Sequence, residues 1–192
     1  MPKRTLKEIK ELLIESSLNE KSKDLAFKIF SIIARAEAKA HKIKESEVEF
    51  HEKGAMDSII DIISAVACLE SLNVSNVLVS PIYEGYGQIM CRRGLIDIPT
   101  PAVKNIAEEF NIKLNKIDFE GEITTPTGIG ILAGISDLSK SYDYSQNGST
   151  FTLCEKNENE KNQFTITSTG YGYGKRDYDL PCYLKCYLLD EK

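Results

Sequence analysis

Phe50-His51-Glu52-Lys53-Gly54-Ala55-Met56-Asp57-Ser58-Ile59-Ile60-Asp61-Ile62-Ile63 joins a short polar–apolar alternation to a long helical pattern. Ile59, Ile60, Ile62, Ile63, Val66, Leu69 and Leu72 predict a helix over roughly Ala55 to Leu72, apolar on most of its faces. Asp57 and Asp61 lie one helical turn apart, which stacks both carboxylates on one side, and Ser64 and Cys68 continue that stripe. Two acids on a mostly buried helix are costly unless they are paired, hydrogen-bonded or bound to a cation. With His51 and Glu52 just ahead of them, Asp57 and Asp61 form a candidate metal-holding group at one helix entrance. A plainer account is open as well. An acid in the first turn complements the helix dipole, which covers Asp57 but reaches Asp61 less well, and an exposed polar edge would cover Asp61, Ser64 and Cys68.

Towards the N-terminus, Thr5-Leu6-Lys7-Glu8 has the form of a capping box, followed by an apolar face of Leu6, Ile9 and Leu13. After a break at Ser17-Leu18-Asn19, a second helix is predicted from Ser22 or Asp24 to about Lys42. Its buried stripe is Leu25, Ile29, Ile32, Ile33, Ala36 and Ala40. His41 falls at the C-terminal end, where a charged imidazole is favoured, so a ligand role is the weaker reading for it. Glu47 to Phe50 alternates as a short strand that delivers His51 and Glu52 to the next helix.

Beyond that helix, Asn76 to Ser80 reads as a buried strand and Ile82 to Arg92 as a second one, with Gln88–Arg92 and Leu95–Ile98 forming a hairpin. Thr100-Pro101 and Thr125-Pro126 open two helices alike, threonine as N-cap and proline in the first helical position. Each is either a simple cap or an anion site at a helix N-terminus. Gly128 and Gly130 cost helix stability there, which makes sense if something approaches the backbone closely. Ile112–Ile117 and Glu122–Ile123 look like strands, Ser139 to Gly148 like a polar loop. Phe151–Leu153, Phe164–Thr169 and Pro181–Leu189 look like the strands of an antiparallel portion. Gly170-Tyr171-Gly172-Tyr173-Gly174-Lys175-Arg176-Asp177 is either a phosphate-cradling loop or a flexible turn. The fold expected is α+β, about five helices packed on mixed and antiparallel sheet. The expected division is a helical core over residues 1–137 and a mainly antiparallel portion over 138–192.

Of the 192 residues, 42% are hydrophobic and 28% charged, which is ordinary for a globular protein. The net charge of -5 argues against a dedicated nucleic-acid binder. No apolar run is long enough to span a bilayer, and the N-terminus lacks a signal-peptide core, so a cytoplasmic protein without a membrane partner is expected. Five cysteines without a Cys-x-x-Cys pair read as free thiols acting as small core residues.

Five elements together resemble the nickel-insertion proteins of the lactate racemase nickel-pincer cofactor pathway. Phe50 to Ile62 matches the family's Phe-His-Glu-x-Gly-Ala-x-Asp-Ser-Ile-x-Asp-Ile. The other four are Ser80 to Arg92, Gly94 to Ala102, Gly121 to Gly128 and Gly170 to Asp177. They follow the family's order along most of the chain. Arg93 stands where the family commonly has a histidine, which removes that side chain from any metal path here. Members of the family begin with a further glycine-rich segment and continue into a C-terminal domain, so a partial chain is expected.

The resemblance implies a CTP-using, lyase-class chelatase that inserts nickel into a pyridinium mononucleotide bearing two thiocarboxylates. His51, Glu52, Asp57 and Asp61 would hold or relay the nickel, for which imidazole and carboxylate are suitable donors. Thr125, Thr127, Gly128, Lys175 and Arg176 would face the mononucleotide. The family binds CTP through its C-terminal domain, so CTP is expected outside this chain, on a nucleotide-binding portion or subunit that partners it. Alone, the chain is not expected to complete the reaction. Two alternatives stay open: a non-catalytic metal- or cofactor-binding module, and a metal-dependent phosphoester hydrolase. A homo-oligomer is compatible with all three.

Overall fold

Thr5 opens the first helix with its hydroxyl accepting from Glu8 N, while the Glu8 carboxylate reaches back to Thr5 N, the reciprocal cap that the sequence calls for. The Thr5 N–H holds the Glu8 carboxyl below its ordinary range. The computed structural model describes residues 4–50, 52–91, 94–136, 142–155, 161–174 and 183–191, with the side chains of 52–56, 142–144, 151–155, 161 and 191 excepted. The chain divides into two compact units, Met1–Ser139 and Lys140–Lys192.

In the first unit, β1 (Arg4–Thr5) leads into α1 (Leu6–Glu15), then α2 (Glu20–His41) and β2 (Glu49–Phe50), which pairs antiparallel with β1. α3 (Glu52–Ser71) follows. Then come β3 (Ile82–Tyr86), the antiparallel hairpin of β4 (Gln88–Cys91) and β5 (Gly94–Asp97), α4 (Pro101–Glu109), β6 (Leu114–Glu120) and α5 (Pro126–Ile135). β3 and β6 pair in parallel.

α2 is the central helix because it is apolar on two sides. Ile29, Phe30 and Ile33 pack with Ile9 and Leu13 of α1 and with Ile59, Ile62 and Val66 of α3, and the Phe30 ring meets Phe50 edge-on at 5.7 Å. Ile32 and Ala36 pack with Val103 and Ile106 of α4 and Ile129 and Ala133 of α5. Ser22 at the start of α2 donates to Glu70 near the end of α3, so these helices run antiparallel. α5 lies against α2 through its glycines: a Cβ at Gly130 would run into Ile33, and one at Gly134 into Ile29. The close approach expected at Gly130 is therefore made by the protein's own core. Lys28 Nζ donates to Gly134 O at 2.8 Å and caps the C-terminal end of α5.

Several expectations are corrected. Residues 76–80 form no strand. They lie outside the β3–β6 pair, which starts after Pro81, and Leu78 is exposed. Glu122–Ile123 is not a strand either, since the backbone of Ile123 and Thr124 bonds a side chain instead. Asp57, Asp61, Ser64 and Cys68 all lie on an exposed face of α3, and Ile60 is 53% exposed, so the stripe is an exposed edge of the helix and not a buried one. Cys68, Cys91 and Cys186 are free thiols, but exposed ones and not core residues.

The second unit is a four-stranded antiparallel sheet. It is built from β7 (Tyr142–Asn147), β8 (Thr150–Glu155), β9 (Lys161–Tyr173) and β10 (Tyr183–Glu191) in the order β10-β9-β8-β7. The polar segment expected as a loop supplies β7, an edge strand of the sheet that pairs with β8. Gly170-Tyr171-Gly172-Tyr173 belongs to β9 and pairs with Tyr183–Cys186, so this part of the glycine run is strand and not a loop.

Candidate functional site

Parallel strands followed by helices bring helix N-termini to the carboxyl edge of the pair, where ligands of such folds bind. Here that edge is tied together by named bonds. Gly121 N donates to Tyr86 O at 3.0 Å, Ile98 N donates to Gly87 O at 2.9 Å, and the Thr124 hydroxyl donates to Tyr83 O at 2.9 Å. The segments leading into α4 and α5 are thus both anchored to the end of β3. The start of α3 joins them, because the hydroxyls of Ser58 and Thr127 are hydrogen-bonded at 2.9 Å.

The two Thr-Pro starts differ in detail. Thr125 is a working N-cap, its hydroxyl accepting from Gly128 N at 3.1 Å. Thr100 stands in the N-cap position of α4 with extended backbone, yet its hydroxyl makes no cap bond. Thr100 is only 6% exposed and, among the described residues, its Oγ1 has no hydrogen-bond partner.

Glu84 is the residue that sequence reasoning missed. It is completely buried in β3. Its Oε1 accepts from Gly85 N and Ile123 N at 2.9 Å each and from Thr124 N at 3.3 Å. Its Oε2 has no partner among the described residues. By alternation Glu84 reads as an ordinary acid of a half-buried strand. The one available signal is Gly85, where a Cβ would collide with the carbonyls of Gly121 and Phe119 and so marks the close approach of this loop. Further out, Tyr86 is exposed, and its phenol is pushed above its ordinary range by the negative charge of Asp118 and by its hydrogen bond to the same carboxylate.

The predicted site residues fall into three groups. Thr125, Thr127 and Gly128 are at the α5 mouth, with Ser58 beside them. Asp57 and Asp61 share the exposed face of the N-terminal half of α3. His51, the Glu52 side chain, Lys175 and Arg176 lie outside the described residues. Among the described residues no group of three or more His, Cys, Asp or Glu side chains is gathered as a metal site, and no helix is long and apolar enough to cross a membrane. A cleft of about 380 Å³ lined by Lys104, Glu108, Asn111 and Lys113 sits at the opposite end of α4, away from the helix mouths.

A family model described as nickel insertion protein matches residues 1–192. A protein of Alkaliphilus metalliredigens is 43% identical over 148 residues, covering 76% of this chain and 35% of the relative. A protein of Clostridium acetobutylicum is 38% identical over 188 residues, 97% of this chain and 40% of the relative. Both are named pyridinium-3,5-bisthiocarboxylic acid mononucleotide nickel insertion protein. The chain therefore spans 35–40% of the length of these relatives. No solved structure matches.

Proposed function

Because this chain belongs to the nickel insertion protein family, we propose that it handles nickel for insertion into a pyridinium mononucleotide carrying two thiocarboxylates. The observation that carries this reading is the 2.9 Å bond between Ser58 and Thr127, which sets the N-terminal half of α3 beside the N-terminus of α5. In this reading Asp57 and Asp61, with His51 and Glu52, take up the nickel as cargo. Thr125, Thr127 and Gly128, or alternatively Lys175 and Arg176, serve the phosphate of the mononucleotide. The exposure of Asp57 and Asp61 supports a transfer role. A cargo metal must leave, and water-exposed carboxylates release it more readily than a closed cage. CTP is the work of a portion beyond the matched part of the relatives, and the cytoplasm is the compartment we assign.

Nickel titration by calorimetry tests the reading on wild type and His51→Ala. The expected outcome is weak binding in wild type and about ten-fold or greater loss in the variant. Equal affinity in the two removes His51 from the site.

A further inference from the structure

Gly170-Tyr171-Gly172-Tyr173 sets two tyrosines on one face of β9 and bare backbone on the other. Glycine weakens a strand interior, and a Cβ at Gly170 or Gly172 would meet nothing within 4 Å, so packing among the described residues does not call for it. The antiparallel register puts Tyr183 opposite Tyr173, Lys185 opposite Tyr171 and Tyr187 opposite Thr169, so these side chains of β10 share the tyrosine face. The Tyr183 ring lies 5.7 Å from that of Tyr171 and 5.9 Å from that of Tyr173, tilted against both. Lys185 Nζ stands 5.6 Å from the centre of the Tyr171 ring and 4.7 Å from that of Tyr187. Its hydrogen bond to the Tyr187 hydroxyl is the main cause that holds Lys185 above its ordinary range, so the ammonium is charged at neutral pH.

Cross-strand aromatic pairs stabilise a sheet, which accounts for the rings meeting. It does not account for how much of them stays in water: Tyr173 is 75% exposed, Tyr171 53% and Tyr183 49%. A group of exposed rings around a fixed ammonium is a surface built to be covered. The sheet is also bent towards it. The Tyr187 hydroxyl donates to Gln146 Oε1 of β7 at 2.9 Å, and β7 and β10 are the two edges of the sheet. In a flat sheet those edges would stand three strand spacings, about 14 Å, apart, so a direct side-chain bond between them requires the sheet to curl towards the tyrosine side.

We propose that this face of β9 and β10 is the platform for the ring of the pyridinium mononucleotide, with Tyr173 and Tyr183 stacking on the pyridinium and Lys185 pairing with a thiocarboxylate on it. The inference rests on the reading that the chain handles that mononucleotide. Charge complementarity chooses the occupant. The ligand is a permanent ring cation that carries anionic groups, and the face offers a partner to each. The negative faces of tyrosine rings attract a ring cation. The Lys185 ammonium attracts the anion beside it. A simple cation would be repelled by Lys185, and a simple anion would gain nothing from the rings. A neutral ring would stack without the cationic contribution. The glycines between the tyrosines leave the strand without further side chains, so the platform is made by rings and lysine alone.

The probe is nicotinic acid mononucleotide, a pyridinium ribonucleotide with one ring carboxylate, titrated into the full chain by calorimetry. The chain has nine tyrosines and no tryptophan, so quenching of tyrosine emission, corrected for ligand absorbance, reports stacking directly. Wild type is expected to bind the probe with quenching. Tyr173→Leu, at an exposed position, should fold as wild type and bind about ten-fold or more weakly, whereas Tyr173→Phe keeps the ring and the affinity. Nicotinamide mononucleotide has a neutral carboxamide in place of the carboxylate and should bind wild type more weakly. Lys185→Gln should abolish that preference. Cytidine monophosphate, with a neutral ring, should bind more weakly than the probe, and equal affinity overturns the pyridinium assignment. Wild type that binds no probe overturns the proposal, as does wild-type affinity in Tyr173→Leu or an unchanged preference in Lys185→Gln. If Tyr173→Leu does not fold, Lys185→Gln decides alone. Nickel titration of the same preparation judges the underlying reading separately: nickel bound without the mononucleotide strikes the platform alone.

Discussion

At the scale of single residues, Glu84 and Asp61 are acids with opposite circumstances. Glu84→Ala would leave the N–H groups of Gly85, Ile123 and Thr124 without their acceptor. Each such loss costs about 1–3 kcal/mol, so denaturant unfolding should report a destabilisation of roughly 3 kcal/mol or more. A result near zero would mean that the loop ahead of α5 finds other partners. Asp61 is exposed, so Asp61→Asn should leave the apo melting temperature within a degree or two of wild type. Under the nickel reading the same variant should bind nickel more weakly. A large loss of melting temperature with intact nickel binding would make Asp61 a structural residue. The sequence gives Asp61 its place on a helix stripe but not its exposure, because spacing fixes which residues share a face and not which face meets water. Glu84 is harder still: its burial depends on a loop nearly forty residues away, and no local pattern encodes that.

At the scale of elements, what was legible was local. The Thr5–Glu8 capping box, the paired Thr-Pro starts and the β4–β5 hairpin all depend on residues within a few positions of one another. What was not legible depended on distant partners. Asn76 to Ser80 has strand-like residues without a strand to pair with, while the polar β7 gains one in β8. The glycines of α5 show both sides. Their cost to the helix is visible in sequence, but the reason is visible only in packing against α2. Gly134→Ala should therefore destabilise by about 1–3 kcal/mol despite its better helix propensity, since Ile29 is in the way. Gly128 differs: an added Cβ would meet only the Thr125 hydroxyl, at 3.2 Å. Gly128→Ala should be close to neutral in stability, within about 1 kcal/mol, because the propensity gain offsets a disturbed cap. Equilibrium unfolding of the two variants side by side checks the contrast. Equal effects would show that α5 does not lie on α2 through its glycines.

For the whole molecule, the two units are unequal in what holds them. Every buried core residue identified among the described side chains belongs to Met1–Ser139, where α1 and α3 cover one side of α2 and α4 and α5 the other. The unit Lys140–Lys192 is a single sheet whose Tyr171, Tyr173, Tyr183 and Leu184 are all largely exposed. A sheet needs a second layer or a covered apolar face to be stable. A chain ending at Ser139 should therefore fold cooperatively with a melting temperature close to that of the full chain, whereas residues 140–192 alone should show no cooperative transition. The truncation also separates the functional assignments. Nickel binding by the His51 group should survive it, since those residues lie in the first unit. Binding of a pyridinium mononucleotide should weaken if Lys175 and Arg176 face its phosphate, and stay unchanged if Thr127 and Gly128 suffice. A shortened chain that melts far below the full one would mean that both units unfold as one, and the sheet would then have to be counted as part of the core.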